Sequence, residues 1–313
     1  MSSSRGKGED GMGFFNNLIK NTTDKEDEFT KMIRARDNGE EWAQQRLDEL
    51  FQKNDPDIYE RINEARQVIY AEDARRGDPK AMYYYGTSSY DFNVFMQMLV
   101  PLAEHDDIEA ITAIARRYGL GISTEENPEE SFKWYLKAAG LGDVFSQNMV
   151  AKSYTYNDSG SGEINYNKAF EWYSAAAEQG SATGFCGLGE CYKYWQMQQM
   201  NNERENVDLN QVLEYDEKII DCYEAARQYL ASEDEEINTL FGLADSYSTA
   251  SYHVNNKSKE LMLQKEAIFF YYAAADCGHP NAMKYAEKIA EENGINVDFN
   301  NMMEWAEQEG IIG

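Results

Sequence analysis

Histidines, cysteines and clustered carboxylates are the side chains best able to do chemistry, and this chain groups few of them usefully. Its three histidines, His105, His253 and His279, stand far apart, and none has a second histidine or a cysteine at zinc-ligand spacing. The four cysteines, Cys186, Cys191, Cys222 and Cys277, form no CxxC pair and lack the regular placement of a disulfide ladder, so they read as free thiols of a reducing compartment. Two acidic runs, Glu125-Glu126-Asn127-Pro128-Glu129-Glu130 and Glu233-Asp234-Glu235-Glu236, could suggest calcium or paired-carboxylate chemistry. Neither follows the alternating Asp/Asn loop with its central glycine, and both fall at expected helix starts, where carboxylates offset the helix dipole. Phosphate-binding glycine loops, dinucleotide fingerprints and nucleophile elbows are absent from the sequence. No catalytic residue, metal ligand or cofactor is expected, and the chain reads as a non-enzyme.

The elements that carry these residues are helical. Across 313 residues there are only 5 prolines, 42% of the residues are hydrophobic, and the alternating pattern of β-branched residues typical of strands is missing. The length exceeds what one compact core usually serves, so the expectation is two domains or an elongated array. The 29 basic and 56 acidic residues leave a formal charge of −27. Such a surface repels nucleic-acid backbones and anionic membranes and favours a basic protein partner; the alternative is that the acid keeps an extended surface soluble. No stretch in the first thirty residues has the apolar length of a signal peptide or a membrane span, which with the thiols points to the cytoplasm. The run Gly13-Phe14-Phe15-Asn16-Asn17-Leu18-Ile19 is expected to form a first helix on the body.

Internal repetition is the strongest signal. Ala110 to Tyr118, then Gly119-Leu120-Gly121, then Phe132-Lys133-Trp134-Tyr135-Leu136-Lys137-Ala138-Ala139-Gly140-Leu141-Gly142 form one unit. The next holds Met149 to Tyr154 and Lys168-Ala169-Phe170-Glu171-Trp172-Tyr173-Ser174-Ala175-Ala176-Ala177-Glu178-Gln179-Gly180. Trp134 and Trp172 stand 38 positions apart, as do Gly142 and Gly180. Weaker copies keep Leu188-Gly189-Glu190-Cys191-Tyr192, Leu243-Ala244-Asp245-Ser246-Tyr247 and Ala273-Ala274-Ala275-Asp276-Cys277-Gly278.

These residues resemble the Sel1-like repeat, a branch of the tetratricopeptide superfamily. The resemblance implies an all-α, right-handed α-solenoid of about seven helix-loop-helix repeats over residues 38–310, with a flexible tail and lead-in helix over 1–37 and a short tail over 311–313. Units begin at Ala43, Ala81, Ala110, Ser146, Gly184, Thr239 and Ala282, spaced by 38, 29, 36, 38, 55 and 43 residues. Small residues at Ala115, Ala151, Gly189 and Ala244 are expected where helices cross, with Tyr118, Tyr154, Tyr192, Tyr247, Trp134 and Trp172 filling the core. The short unit from Ala81 is expected to lack an inter-helix loop, with His105 in place of the terminal glycine. The long unit from Gly184 is expected to carry a polar insert around Gln198 to Asn210.

By the same resemblance, a groove is lined by outward positions of the first helices: Thr112, Arg116, Asn148, Lys152, Cys186, Glu190, Lys193, Phe241 and Asp245. The implied function is a scaffold or adaptor that binds a protein partner. A second implication, from bacterial relatives of the repeat, is an immunity protein that neutralises a toxin, and the strong negative charge fits a basic one.

Overall fold

The computed structural model describes residues 28–53, 57–156, 160–202 and 207–312. The Gly13 to Ile19 run lies outside the described residues. Among those described the chain is all-α, with fifteen helices. They are α1 (Glu28–Asp37), α2 (Glu41–Gln52), α3 (Ile58–Arg75), α4 (Pro79–Thr87), α5 (Phe92–Glu104), α6 (Ile108–Leu120), α7 (Pro128–Gly140) and α8 (Val144–Thr155). Then follow α9 (Tyr166–Glu178), α10 (Ala182–Asn202), α11 (Leu209–Ala226), α12 (Glu233–His253), α13 (Lys257–Asp276), α14 (Ala282–Asn293) and α15 (Met302–Gln308).

The repeat anchors show why the pairs begin where they do. All seven are buried, and they fall in the alternate helices α2, α4, α6, α8, α10, α12 and α14. Five of them are the third helical residue, and in four of these the backbone N–H donates to the capping side chain three positions earlier. Ala81 bonds to Asp78 (2.8 Å), Ala110 to Asp107 (2.9 Å), Ser146 to Asp143 (2.8 Å) and Gly184 to Ser181 (3.0 Å). Such caps satisfy N–H groups that the helix leaves open, each contributing about 1 kcal/mol.

The second helices close with one turn, used repeatedly. Asp78, Asp143, Ser181 and His279 each donate a backbone N–H to the carbonyl five residues back, across a left-handed glycine at 77, 142, 180 or 278. Between α5 and α6 the left-handed residue is Asp106, at φ 61°, and not the preceding His105, which sequence comparison had put at the glycine position. Aspartate tolerates this conformation better than most side chains, so the turn survives without glycine. The short repeat does have a connection, Ser88–Asp91; its brevity comes from the nine-residue α4. The expected insert is largely helix: α10 runs on to Asn202 and α11 starts at Leu209, while residues 203–206 lie outside the described ones.

Two compact units divide the chain, Met1–Trp134 and Tyr135–Gly313. In the first, α1 packs on α2 and α3, and α3 to α6 pack in succession. Its core gathers Ile33, Leu47, Ile58, Ile62, Ala81 and Tyr85. Asp37 is buried within it, gripped by Arg66 through two bonds of 2.9 and 2.8 Å and by Arg36. In the second unit α8 to α14 pack in succession and α15 returns to α13; α10 also touches α8 and α12, so first helices lie beside first helices. Its core joins Ile219, Tyr223, Leu243, Ile268, Tyr271, Ala286 and Trp305.

The aromatic assignment needs correcting: of the rings expected to fill the core only Tyr154 is buried, while Tyr118, Tyr192 and Tyr247 are half-buried. Trp134 and Trp172 are only half-buried, and the deep positions belong to the tyrosines that follow them, Tyr135 and Tyr173, with Tyr223 and Tyr271 in later pairs. A phenol ring fills the space beside a small residue at the helix crossing. Glycines make room for these rings. A Cβ at Gly187 would fall 2.4 Å from the Tyr173 ring, and one at Gly242 would fall 2.2 Å from that of Tyr223.

Candidate protein-interaction surface

The outward residues of the first helices collect in two concavities, one in each unit. In the second unit a concavity of about 440 Å³ is lined by Lys152 on α8 and Tyr156 just after it, by Cys186, Glu190 and Lys193 on α10, and by Asn238, Phe241 and Asp245 on α12. Its floor holds Tyr173 and Tyr223 from the second helices α9 and α11. Six of the nine residues expected at the groove thus share one wall: Lys152, Cys186, Glu190, Lys193, Phe241 and Asp245.

Their chemistry is that of a polar rim over an aromatic floor. Lys193 Nζ lies 3.2 Å from Asp245 Oδ2 and 3.7 Å from Glu190 Oε1, and 4.9 Å above the Tyr223 ring. The Tyr223 hydroxyl donates to Glu190 Oε1 at 2.7 Å. Burial, reinforced by Glu190, pushes the Tyr223 phenol well above its ordinary range, so it stays a donor at every physiological pH. Because the carboxylates are half-exposed, each ion pair contributes at most about 1 kcal/mol, and a partner's charged groups can exchange with them at little cost. Cys186 sits 3.4 Å from Thr239 Oγ1, and burial raises its thiol, which makes it a poor nucleophile. Phe241 packs against Tyr271 and Tyr285 and lies parallel to the His279 ring at 4.0 Å.

Thr112 and Arg116 line the other concavity, of about 730 Å³, in the first unit. Its wall also holds Arg66 from α3, Tyr83 and Tyr84 from α4, the turn residues Ser88–Tyr90, Phe95 from α5, and Glu109 and Arg117 from α6. Arg117 is 7% exposed. Its Nη2 donates to the carbonyls of Thr87 (3.2 Å) and Ser89 (2.9 Å), and its guanidinium lies 4.2 Å over the Phe95 ring. Nη1 has no acceptor, which leaves a buried donor unsatisfied at a cost of about 1–3 kcal/mol. Asn148, the last of the nine, joins neither concavity: its Nδ2 donates to Ser181 Oγ at 2.9 Å, tying α8 to the start of α10.

Sequence reading missed one buried polar cluster. Asp216, 4% exposed on α11, accepts from Gln196 Nε2 at 2.7 Å and meets His253 Nδ1 at 2.8 Å. It fastens α10, α11 and α12 together, and its members lie 20 and 37 residues apart, beyond any local pattern. The acidic runs sit as expected: Glu129 and Glu130 open α7, and Glu233 to Glu236 open α12 behind the Ser232 cap. Among the described residues, no group of three or more histidines, cysteines or carboxylates is arranged to hold a metal, and no helix is long and apolar enough to cross a membrane.

Paired helices, anchored by small residues and closed by left-handed turns, define a helical-repeat protein. Residues 108–143, 144–181 and 264–279 match the Sel1 repeat, so the chain carries Sel1 repeats. The first two matched stretches are the helix pairs α6/α7 and α8/α9. A Sel1 repeat protein from Oxalobacter formigenes is similar in fold, with a TM-score of 0.50 and 18% identity over 84% of this chain and 98% of that one. A protective antigen present in uropathogenic Escherichia coli strains and displaying an SLR fold aligns with a TM-score of 0.41 and 15% identity over 95% of this chain and 75% of that one. No curated protein matches the chain.

Proposed function

We propose that this chain is a non-catalytic protein-interaction module, a scaffold or adaptor whose partner docks on the first-helix concavity of the second unit. The observation that carries the reading is the convergence of Lys152, Glu190, Lys193, Phe241 and Asp245, from three successive first helices, on one wall. Half-exposed, exchangeable charges around buried aromatics are the makings of a protein contact, in which a few aromatic anchors dominate and a polar rim excludes water. The thiols, raised and unpaired, suit a reducing cytoplasm. Residues 38–310 act as one repeat array in this reading.

A second reading is favoured by the charge of −27: the chain neutralises a basic toxin or effector. Electrostatic attraction acts over about 8 Å at physiological salt and chiefly raises the association rate. The test of the first reading is quantitative affinity purification from native cells with wild-type chain and with a Lys193→Glu, Phe241→Ala variant. One partner should be lost from the variant while the fold, followed by circular dichroism, is retained. Identical partner sets would refute the groove. For the second reading, raising salt should slow association with that partner and leave dissociation little changed; a salt-independent rate would remove the basic toxin as ligand.

A further inference from the structure

The concavity of the first unit has a local charge opposite to that of the whole chain. Three arginines line it, Arg66, Arg116 and Arg117, against one carboxylate, Glu109. Arg66 is already committed to Asp37 by its two bonds. Arg117 is different: it is buried, bound to two neutral carbonyls and a ring face, without a carboxylate partner, and its Nη1 has no acceptor. Burial disfavours its charged form, an effect only partly offset by Tyr90. Holding the turn after α4 needs Nη2 alone, so the second amino group is left for another acceptor. A neutral acceptor would satisfy the hydrogen bond and leave the charge uncompensated; a carboxylate satisfies both, and a planar one matches a guanidinium best.

We propose that this concavity binds a carboxylate of an acidic peptide segment of the partner, with Arg117 as its buried donor and Thr112 and Arg116 at its rim. The proposal rests on the protein-interaction reading but concerns a separate site. Nη1 is closed to solvent, so the wall gives by a side-chain rotation as the oxygen enters. A side-chain carboxylate and a chain-terminal one offer the same chemistry, and the experiment separates them. General attraction is not the driving force, because the total charge repels an acidic peptide; the local arginines must overcome it.

The probes are three short acetylated alanine peptides. One carries a central Asp and an amidated end, one a free terminal carboxylate, and one a central Asn and an amidated end. Each is titrated into the full chain labelled with nitrogen-15 arginine, following the Arg117 Nε–H signal, which is assigned by its loss in Arg117→Lys. At least one carboxylate peptide should shift that signal saturably and bind about tenfold or more tightly than the Asn peptide, and whichever does so identifies the source. Thr112→Glu, a rim change that leaves Arg117 in place, should abolish the shift while the helical circular dichroism is unchanged. No shift with either carboxylate peptide, equal binding of the Asn peptide, or undiminished binding by Thr112→Glu would each overturn the proposal. None of these outcomes bears on the second-unit groove, which is tested with its own variants.

Discussion

Tyr223 sits where the fold and the candidate groove meet, and Gly242→Ala is the sharpest way to disturb it. The ring is 4% exposed, with Gly242 of α12 against one edge and Gly189 of α10 against the other. A Cβ at 242 would fall 2.2 Å from Cε1, 2.7 Å from Cζ and 2.9 Å from Cδ1. Carbon atoms pack at about 3.5–4.0 Å, so the ring must retreat by more than about 1 Å. It cannot move freely towards α10, where a Cβ at 189 would already lie 2.9 Å from Cε2. The shift also strains the 2.7 Å bond from the hydroxyl to Glu190. Overpacking costs about 1–3 kcal/mol, the strained hydrogen bond about 1 more, and the better helix propensity of alanine returns about 1. The net expectation is a loss of about 2 kcal/mol, read as a lower urea midpoint at constant slope. Gly140→Ala is the control: the site is helical, with nothing within 4 Å of an added Cβ, so it should be neutral or stabilising by up to about 1 kcal/mol. Tyr223→Leu should remove most of the penalty in the double variant. A Gly242→Ala chain as stable as wild type, or a double variant whose losses simply add, would refute the packing argument.

Three further outcomes are expected. Burial raises the Asp37 carboxyl, but the Arg66 and Arg36 guanidiniums outweigh it and hold the group below the usual range. Its stabilisation is therefore present above the unfolded-state value of about 4 and lost as pH falls through the lower folded one. Asp37→Asn should cost about 3 kcal/mol at neutral pH and flatten the acid limb of a fluorescence titration; an unchanged limb would contradict the assignment. Iodoacetamide at mild alkaline pH should label the exposed Cys277 well before Cys191 and Cys222, whose thiols burial pushes up to about 12, and peptide mapping that found Cys191 first would contradict the packing of α10. Asp216→Leu should destabilise by about 2 kcal/mol because it takes the carboxylate from both Gln196, which keeps only the Val212 carbonyl, and His253, and His253→Ala should cost less because Gln196 keeps both bonds. The reverse order in thermal melts would refute the cluster as the fastener of α10 to α12.

Much of the fold was legible because its rules are local. A cap, a small residue three positions on, and a glycine past the second helix recur in phase, so Ala81, Ala110, Ser146 and Gly184 could be found by counting. Rotation about the helix was not legible: Trp172 and Tyr173 are adjacent and both aromatic, and only the neighbouring helix decides which one faces inwards. The same holds for Arg116 and Arg117, where the outward residue was expected and the buried one was passed over. Gly187 and Gly242 had no visible role until the rings they admit were placed, since each contact joins residues from different helices. The groove residues on α10 and α12 followed from the family resemblance; Asn148 came from the same analogy, yet its amide is bound to Ser181.

The central claim is that a protein partner occupies the first-helix concavity of the second unit. A photo-crosslinking amino acid placed at Asn238 or Lys152, both exposed at that concavity, and separately at Met262, exposed on second helix α13, tests it in native cells. The account predicts one discrete adduct, to the same protein, from Asn238 and Lys152 and none from Met262. The absence of an adduct at both groove positions, or the same adduct from Met262, would contradict it.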